Sequence, residues 1–353
     1  MRLKSRILLL LGLLLTFVHV CAQQPQQVRL AFTGDVMMGT NFPSNYITPD
    51  RGKSLFTDCD SLMRHADATI INLEGTCYDG DEGELRKMTN PNTYFIFRTP
   101  GDHAERLAEA GVDAVGMANN HSFDFGLTGR RLTIENIRSV GIEVAGLRGM
   151  AEGCVLNRKG VRIGYLAFAA SCTRVLDMLN VAEVDSMLHV YREMSDLLVV
   201  SFHGGAEGVA HQHVPKAAET YVGERRGNVY DFAHHCIDMG ADIVVGHGPH
   251  VPRALELYQG HLIAYSLGNF CTPYRMGVRG VTGYAPLLEV TLNVADGTFD
   301  TGRIHSFIQQ SGKGPRLDAQ HRVALLMRQL SLDDFPDSPL DIDKEGYLCP
   351  KPD

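Results

Sequence analysis

Short apolar runs alternate along the chain with longer segments in which apolar residues recur at helical spacing. This alternation is typical of an α/β fold, in which helices cover largely parallel sheets. The predicted strands are Val28–Phe32, Ala68–Asn72, Asp113–Met117, Gly164–Ala169, Leu197–Phe202, Ile243–Gly246 and Leu262–Ser266. The predicted helices are Ser54–His65, Asp102–Ala110, Thr128–Val140 and Lys216–Met239.

Turn sequences indicate that antiparallel pairs are mixed with the parallel strands. Residues that favour hairpin turns occur at Asn157–Gly160, Gln259–Gly260 and Asp296–Gly297. Further along, the pattern predicts a hairpin of Leu287–Val294 with Thr298–Ser306, a helix over Asp318–Leu330, and a loose acidic tail from Asp333. We therefore expect one main domain over residues 27–272, with the hairpin, helix and tail of residues 273–353 appended to the same core.

The first 22 residues have the pattern of a secretory signal peptide. Three basic residues precede the apolar run Ile7–Val18, which is too short to span a bilayer as a helix. Val20 and Ala22 are the small residues expected just before a cleavage site, while Cys21 offers the alternative of lipoprotein anchoring. We expect an exported protein of the periplasm or cell envelope, released by simple cleavage rather than lipidated.

Charge and cysteine content exclude several function classes. The formal net charge is −8, and the chain has no run of Lys or Arg, so it lacks the basic surface of a nucleic-acid-binding protein. An acidic surface also repels an acidic polymer unless bound cations reverse the local charge. The cysteines form no C-x-x-C pair, which excludes a zinc ribbon.

Polar side chains that suit metal binding follow six of the apolar runs. Because the carboxyl ends of strands form the ligand crevice of an open α/β sheet, these side chains are expected to converge. They are Asp35; Asn72 and Glu74; Asn119, Asn120 and His121; His203; His247 and His250; and Asn269.

Carboxylate, amide and imidazole ligands together favour Mn, Fe or Zn over Ca or Mg. A carboxylate that bridges two such ions would make a two-metal centre able to activate water and neutralise a phosphoryl group. His121, with Asp124 three residues later, is a candidate general acid for the leaving oxygen.

The ordered motifs GD (34–35), NLEG (72–75), NNH (119–121), HGG-x-E (203–207), GHGPHVPR (246–253) and YSLGNF (265–270) resemble those of the CapA family of capsule (poly-γ-glutamate) synthesis proteins. That family is similar to the calcineurin-like metallophosphatases, so the resemblance implies a four-layer αββα sandwich of two packed mixed sheets. It also implies one or two divalent transition metals, an anionic envelope polymer or phosphoester as substrate, and membrane-bound capsule machinery as a partner. By matched position, the implied metal ligands are Asp35, Glu74, Asn120, His203, His247 and His250, with His121 as the acid. The spacing of Asp124 from His121 suits a carboxylate that orients the imidazole. Asn72, Asn119, Glu207 and Asn269 are candidates for contacts to the substrate or to the ligands.

Three positions depart from the phosphatase pattern. Met37 stands where the first motif usually has histidine, Asn72-Leu73-Glu74 stands where the phosphatases have an aspartate, and His247 and His250 form His-x-x-His instead of His-x-His. In addition, Gly248 stands where many members of the capsule family have histidine. These departures leave open whether one or two ions bind. They also leave open whether the protein is a metal-dependent hydrolase, a non-catalytic assembly or export factor for an anionic polymer, or a secreted binding module.

Overall fold

The computed structural model describes residues 26–80, 83, 95–170, 172 and 174–352; the predicted signal peptide lies outside them. The helices are α1 (Asp60–His65), α2 (His103–Ala110), α3 (Gly126–Ser139), α4 (Val181–Met194), α5 (Val229–Asp238) and α6 (Arg322–Asp334). The strands are β1 (Gln27–Val36), β2 (Ala68–Leu73), β3 (Thr76–Cys77), β4 (Arg98–Thr99), β5 (Ala114–Gly116), β6 (Glu143–Ala145), β7 (Gly153–Arg158), β8 (Val161–Ala169), β9 (Leu197–His203), β10 (Glu219–Tyr221), β11 (Glu224–Gly227), β12 (Ile243–His247), β13 (Leu255–Tyr258), β14 (His261–Ala264), β15 (Asn269–Cys271), β16 (Tyr284–Asn293), β17 (Phe299–Gln310), β18 (Gly314–Leu317), β19 (Leu340–Ile342) and β20 (Tyr347–Pro350). None of these helices is long and apolar enough to cross a membrane.

Two large mixed sheets form the centre of the described structure. The first has the order β19-β20-β17-β16-β1-β2-β5-β6, with β15 also paired to β1 and β18 to β17. The second has the order β13-β14-β12-β9-β8-β7. Each contains a parallel run, β1-β2-β5-β6 in the first and β14-β12-β9-β8 in the second. The three predicted hairpin turns join β7 to β8, β13 to β14 and β16 to β17, as expected.

Side-chain alternation along the strands packs the two sheets face to face. In β9, Leu197 and Val199 enter the larger core, which includes residues of both sheets, whereas Leu198 and Val200 enter a second core with α4 and α5. Successive side chains of a strand point to opposite faces, so a strand that is apolar throughout is covered on both sides. Helices α1 to α3 cover the other face of the first sheet. The predicted class, an α/β sandwich of two packed mixed sheets between helices, is confirmed.

The predicted helix Lys216–Met239 is wrong in its first half. That half forms the antiparallel hairpin β10–β11, and α5 begins only at Val229. Gly223 and Gly227 both have positive φ, which interrupts a helix, and the Asn228 side chain caps α5 by accepting from Asp231 N at 3.2 Å.

Two other predicted elements are shifted, and one helix is absent from the sequence-based prediction. Of the predicted Ser54–His65 helix, only α1 is helical, because turns occupy the residues before it. The predicted Asp318–Leu330 helix begins later, at Arg322. Helix α4, between β8 and β9, was not predicted.

The tail from Asp333 is not loose, which corrects the prediction from its composition. Strand β20 pairs with β17, and β19 pairs with β20, so the tail extends the first sheet at its edge. Leu340, Ile342 and Leu348 are buried in the larger core. Three well-spaced apolar residues are thus enough to dock an otherwise polar segment.

Candidate metal centre

Asp35 occupies the centre of the candidate site, at the carboxyl end of β1. Its neighbours in strand register are Asn72 on β2 and Asn269 on β15. The Asp35 side chain is fully buried, and Asn72 Nδ2 donates to its Oδ1 at 2.8 Å. Asn269, expected at the end of the Leu262–Ser266 strand, instead begins β15, because the chain crosses from the second sheet to the first before it.

Histidines of the second sheet face Asp35. His203 and His247 are register neighbours at the ends of the parallel strands β9 and β12. Their Nδ1 atoms lie 4.0 and 3.3 Å from Asp35 Oδ1. His250 follows in a turn with φ of 57°, unusual for a residue other than glycine, and its Nδ1 lies 3.0 Å from both Asp35 Oδ2 and Asn269 Oδ1.

Glu74 completes the cluster from the loop after β2. Its Oε1 lies 3.7 Å from His250 Nε2, and one ligand atom each of Asp35, Glu74 and His250 lie within 4.8 Å of one another. Both Glu74 carboxylate oxygens are buried without a hydrogen bond from any described residue. Burial, partly offset by His250, raises the pKa of Glu74 to about 7.

The buried atoms of this cluster fit a bound cation. Both ring nitrogens of His203 and Nδ1 of His247 are buried and accept no hydrogen bond from the part of the chain that the structure describes. Buried polar atoms are nearly always paired in folded proteins, so a group of them in one cluster fits a site that binds a ligand. Burial holds the pKa of His203 well below its usual value, which leaves a neutral ring with a free lone pair.

The electrostatics of the cluster also favour a positive charge. Burial by itself raises the pKa of Asp35, but the His247 and His250 imidazoles outweigh it and hold that pKa well below its usual value. Burial lowers the pKa of His250, yet the Glu74 and Asp35 carboxylates outweigh this and raise it to about 10. A cation between these two carboxylates is therefore strongly stabilised.

His121 lies beside the cluster and is paired with Asp124. Its Nε2 lies 3.9 Å from Glu74 Oε1, and its Nδ1 lies 2.9 Å from Asp124 Oδ2. Phe97 supports this pair, because its N–H donates to the same Asp124 oxygen at 2.9 Å and its ring packs 4.5 Å from the His121 ring. Burial lowers the pKa of His121, but Asp124 outweighs it and raises that pKa, as suits a proton donor.

The asparagines hold the loops that carry these groups. Asn119 Nδ2 donates to Asn72 Oδ1 at 3.0 Å and to Leu73 O at 2.9 Å, while Asn119 Oδ1 accepts from His121 N at 3.1 Å. Asn72 in turn donates to Asp35, so one hydrogen-bonded chain links His121 to Asp35. Asn120 lies in the same turn and is partly exposed.

Glu207 pairs with an arginine instead of joining the ligands. Arg226 Nη2 donates to Glu207 Oε1 at 2.8 Å, and Arg226 Nε donates to Gly205 O at 2.9 Å. Arg226 is buried and close enough to lower the pKa of His203. It was not identified from the sequence, which predicts a helix over this segment.

A second buried arginine holds the same loop and was also missed. Arg253 is fully buried and pairs with Glu219 through two contacts of 3.0 and 2.7 Å. It also donates to Ala206 O at 3.1 Å, and Ala206 N donates to Glu219 Oε1 at 3.0 Å. Arg253 ends the GHGPHVPR motif, which was the available signal.

Met37 and Gly248, which depart from the patterns of the related families, are both closely packed. Met37 is buried, and its Sδ accepts a hydrogen bond from Gly39 N at 3.2 Å. Gly248 has a φ of 111°, and a Cβ there would lie 2.7 Å from Gly204 O. A histidine at position 248 would therefore require the backbone to move.

Residues 29–274 match the family described as bacterial capsule synthesis protein PGA_cap. The chain belongs to this family. It is 26% identical over 260 residues to the PGA biosynthesis protein CapA of Bacillus subtilis, an alignment that covers 68% of this chain and 62% of that protein. It is 23% identical over 266 residues to the capsule biosynthesis protein CapA of Bacillus anthracis, covering 70% of this chain and 60% of that one. The chain thus spans about 60% of the length of these relatives.

A solved structure supports the fold. A phosphatase from Mycoplasma pneumoniae superposes with a TM-score of 0.50 at 14% identity, over 81% of this chain and 95% of that protein. At this identity the likeness extends to the fold alone. Together with the topology, it supports the predicted fold of two packed mixed sheets.

Proposed function

We propose that this member of the capsule synthesis family is an exported, metal-dependent hydrolase of a phosphoester in envelope polymer synthesis. The observation that carries the proposal is the buried His121–Asp124 pair beside the metal-ligand cluster. A site that only holds cations needs no oriented proton donor, whereas departure of an alkoxide needs one.

Each residue of the site has a role in this proposal. Asp35, Glu74, His203, His247 and His250 hold one or two divalent ions, with Asn120 as a further ligand, and imidazole with carboxylate favours Mn, Fe or Zn. A bound ion supplies charge neutralisation at the phosphoryl group and a more acidic water. His121 Nε2 donates its proton to the leaving oxygen, while Asp124 holds Nδ1 and so fixes the ring.

The alternative is a non-catalytic assembly or export factor that binds an anionic polymer through metal. The observation in its favour is that Met37 replaces a histidine ligand that phosphatases usually have and that Gly248 cannot carry a ligand side chain without moving the backbone. With fewer ligands the site could bind a single ion and bridge it to carboxylates of a polymer. Membrane-bound capsule machinery would be the partner in either case.

Phosphate release separates the two functions. The purified mature chain is assayed on 4-nitrophenyl phosphate and phenyl phosphate after loading with Mn²⁺ or Zn²⁺, and again after chelation. Metal-stimulated release is expected. If the metal-loaded protein releases no phosphate from either ester and cleaves no glutamyl polymer, the assembly-factor function is favoured.

Export is tested on protein from the native cell envelope. We expect mass spectrometry to find a mature N-terminus at Gln23, produced by cleavage after Ala22. A lipidated Cys21 would favour anchoring instead. An intact Met1 on protein found in the cytosol would contradict export by either route.

A further inference from the structure

An exposed arginine near the metal centre is held by two aromatic rings. The Arg275 guanidinium carbon lies 5.2 Å from the centroid of the Tyr46 ring and 5.0 Å from that of Phe95, and both rings are about two-fifths exposed. No carboxylate among the described residues pairs with Arg275. The chain has a net charge of −8, so an arginine without an acidic partner produces a local positive potential that attracts anions. We call Arg275, Tyr46 and Phe95 the Arg275 cluster.

The Arg275 cluster is connected to the proton donor by stacked rings. Phe95 and Phe97 alternate along one short segment, with ring centroids 6.2 Å apart and nearly parallel planes. The Phe97 ring in turn lies 4.5 Å from that of His121. Ring contacts through Phe95 and Phe97 therefore connect the Arg275 cluster to His121, the proposed proton donor to the leaving oxygen.

Hydrogen bonds fix the three segments that build the cluster. Tyr46 N donates to Thr40 O at 2.7 Å, and Thr40 Oγ1 accepts from Arg98 N at 3.0 Å, which joins the loop after β1 to β4. Thr272 N donates to Gln309 Oε1 at 2.7 Å just after β15. The segments of Tyr46 and Arg275 follow β1 and β15, the strands that carry Asp35 and Asn269.

The guanidinium itself is positioned rather than free. Arg275 has a φ of 70°, a backbone conformation that side chains other than glycine adopt rarely and that occurs often at functional sites. Contact with two ring faces holds the guanidinium through cation–π attraction. The N–H groups at the edge of the guanidinium plane remain free to donate hydrogen bonds. Their planar arrangement matches the oxygens of a carboxylate or phosphate.

We propose that Arg275, held between Tyr46 and Phe95, binds an anionic group on the leaving-group side of the substrate. This rests on the proposed function and names the substrate class more closely: a phosphoester whose leaving group carries a carboxylate or a second phosphate. Arg275 is thus a specificity residue and takes no part in the chemical step.

Binding of phosphonates that cannot be hydrolysed tests this subsite without requiring activity. The probes are benzylphosphonate, 4-carboxybenzylphosphonate and the bisphosphonate with a second phosphonomethyl group at the 4-position, titrated calorimetrically into Mn²⁺-loaded protein. We expect the wild type to bind at least one of the two probes that carry a second anionic group about fivefold more tightly than benzylphosphonate. This gain is the upper range for an exposed ion pair. The probe with the larger gain identifies the anion.

Arg275→Gln should remove that preference while leaving the affinity for benzylphosphonate unchanged. The matched control is Arg279→Gln, because Arg279 is an exposed arginine of the same loop without a ring contact among the described residues, and this variant should keep the preference. No preference in the wild type, or equal loss in both variants, overturns the proposal. The protein could show the preference, and lose it in Arg275→Gln, yet hydrolyse no phosphoester. That result would support the subsite and contradict only the proposed hydrolysis.

Discussion

At His121 the ring nitrogen that faces the cluster is Nε2, because Nδ1 is held by Asp124 Oδ2 at 2.9 Å. If Nε2 protonates the leaving oxygen, His121→Ala should lower turnover of phenyl phosphate by about 10²–10⁴-fold, the usual contribution of a positioned acid. The loss should be much smaller for 4-nitrophenyl phosphate, whose leaving group needs little protonation. Steady-state rates on the two esters, with metal content measured in parallel, check this.

Asp124→Asn provides the companion measurement. The variant keeps the size of the side chain but removes the charge that raises the pKa of His121, so a smaller loss than that of His121→Ala is expected. Equal losses on good and poor leaving groups in the His121 variant would show that this histidine does not protonate the leaving oxygen.

Gly248 gives a stability prediction at a single residue. Gly248→Ala adds a Cβ 2.7 Å from Gly204 O in addition to the cost of a positive φ. Gly160→Ala is the matched control, because Gly160 also has positive φ but has open space around its Cβ position. The control should lose about 1–2 kcal/mol of unfolding free energy, and Gly248→Ala at least about 1 kcal/mol more. Denaturant titration measures both; equal losses would contradict the close approach.

At the scale of elements, the hairpin β10–β11 holds the loop that follows His203. Glu219→Gln should lower the unfolding free energy by about 3 kcal/mol, because it leaves the fully buried Arg253 without a compensating charge. Adding Arg253→Met to that variant should recover part of the loss. Chemical denaturation of the single and double variants measures both effects.

The control for the hairpin is an exposed ion pair. Arg162 and Asp196 lie 2.7 Å apart, but their side chains are about half and one-third exposed. Arg162→Gln should therefore change the unfolding free energy by less than about 1 kcal/mol. A loss from Glu219→Gln no larger than this would mean that the Arg253 pair does not stabilise the loop.

The hairpin also shows where sequence-based prediction fails. Glu219 and Arg226 fall within the wrongly predicted helix, and only the fold shows that both turn inward. Their partners, Gly205 O and Arg253, lie on other elements, and no local pattern specifies them. By contrast, the parallel strands were predicted within a few residues, because runs buried on both faces leave a clear apolar signal.

The candidate ligands could be predicted from the sequence for a related reason. The chain brings together the carboxyl ends of parallel strands, so Asp35, Glu74, His203 and His247 meet wherever those strands are correctly assigned. The exact partners could not be predicted, since Asn269 reaches Asp35 through β15, a three-residue strand with no periodic signal. The supporting ring of Phe97 lies on an equally short segment.

At the scale of the whole molecule, we propose that residues 273–353 fold as part of the same domain as residues 27–272. Strand β16 pairs with β1 along Gln27–Thr33, so a chain ending at residue 272 exposes the edge of the strand that carries Asp35. We expect that truncation to abolish cooperative unfolding in circular dichroism. Truncation after Asp334, which removes only β19 and β20, should instead lower the melting temperature and keep a cooperative transition. Cooperative unfolding of the shorter chain would contradict this proposal.

The central claim is that the strand ends of the two sheets form a metal centre. Its most direct test is elemental analysis of the mature chain, purified without chelator after metal-replete growth, together with the His203→Ala/His247→Ala double variant. We predict one or two transition-metal ions per wild-type chain and none in the double variant, with both proteins folded by circular dichroism. A wild-type protein that contains no metal after such growth would contradict the account.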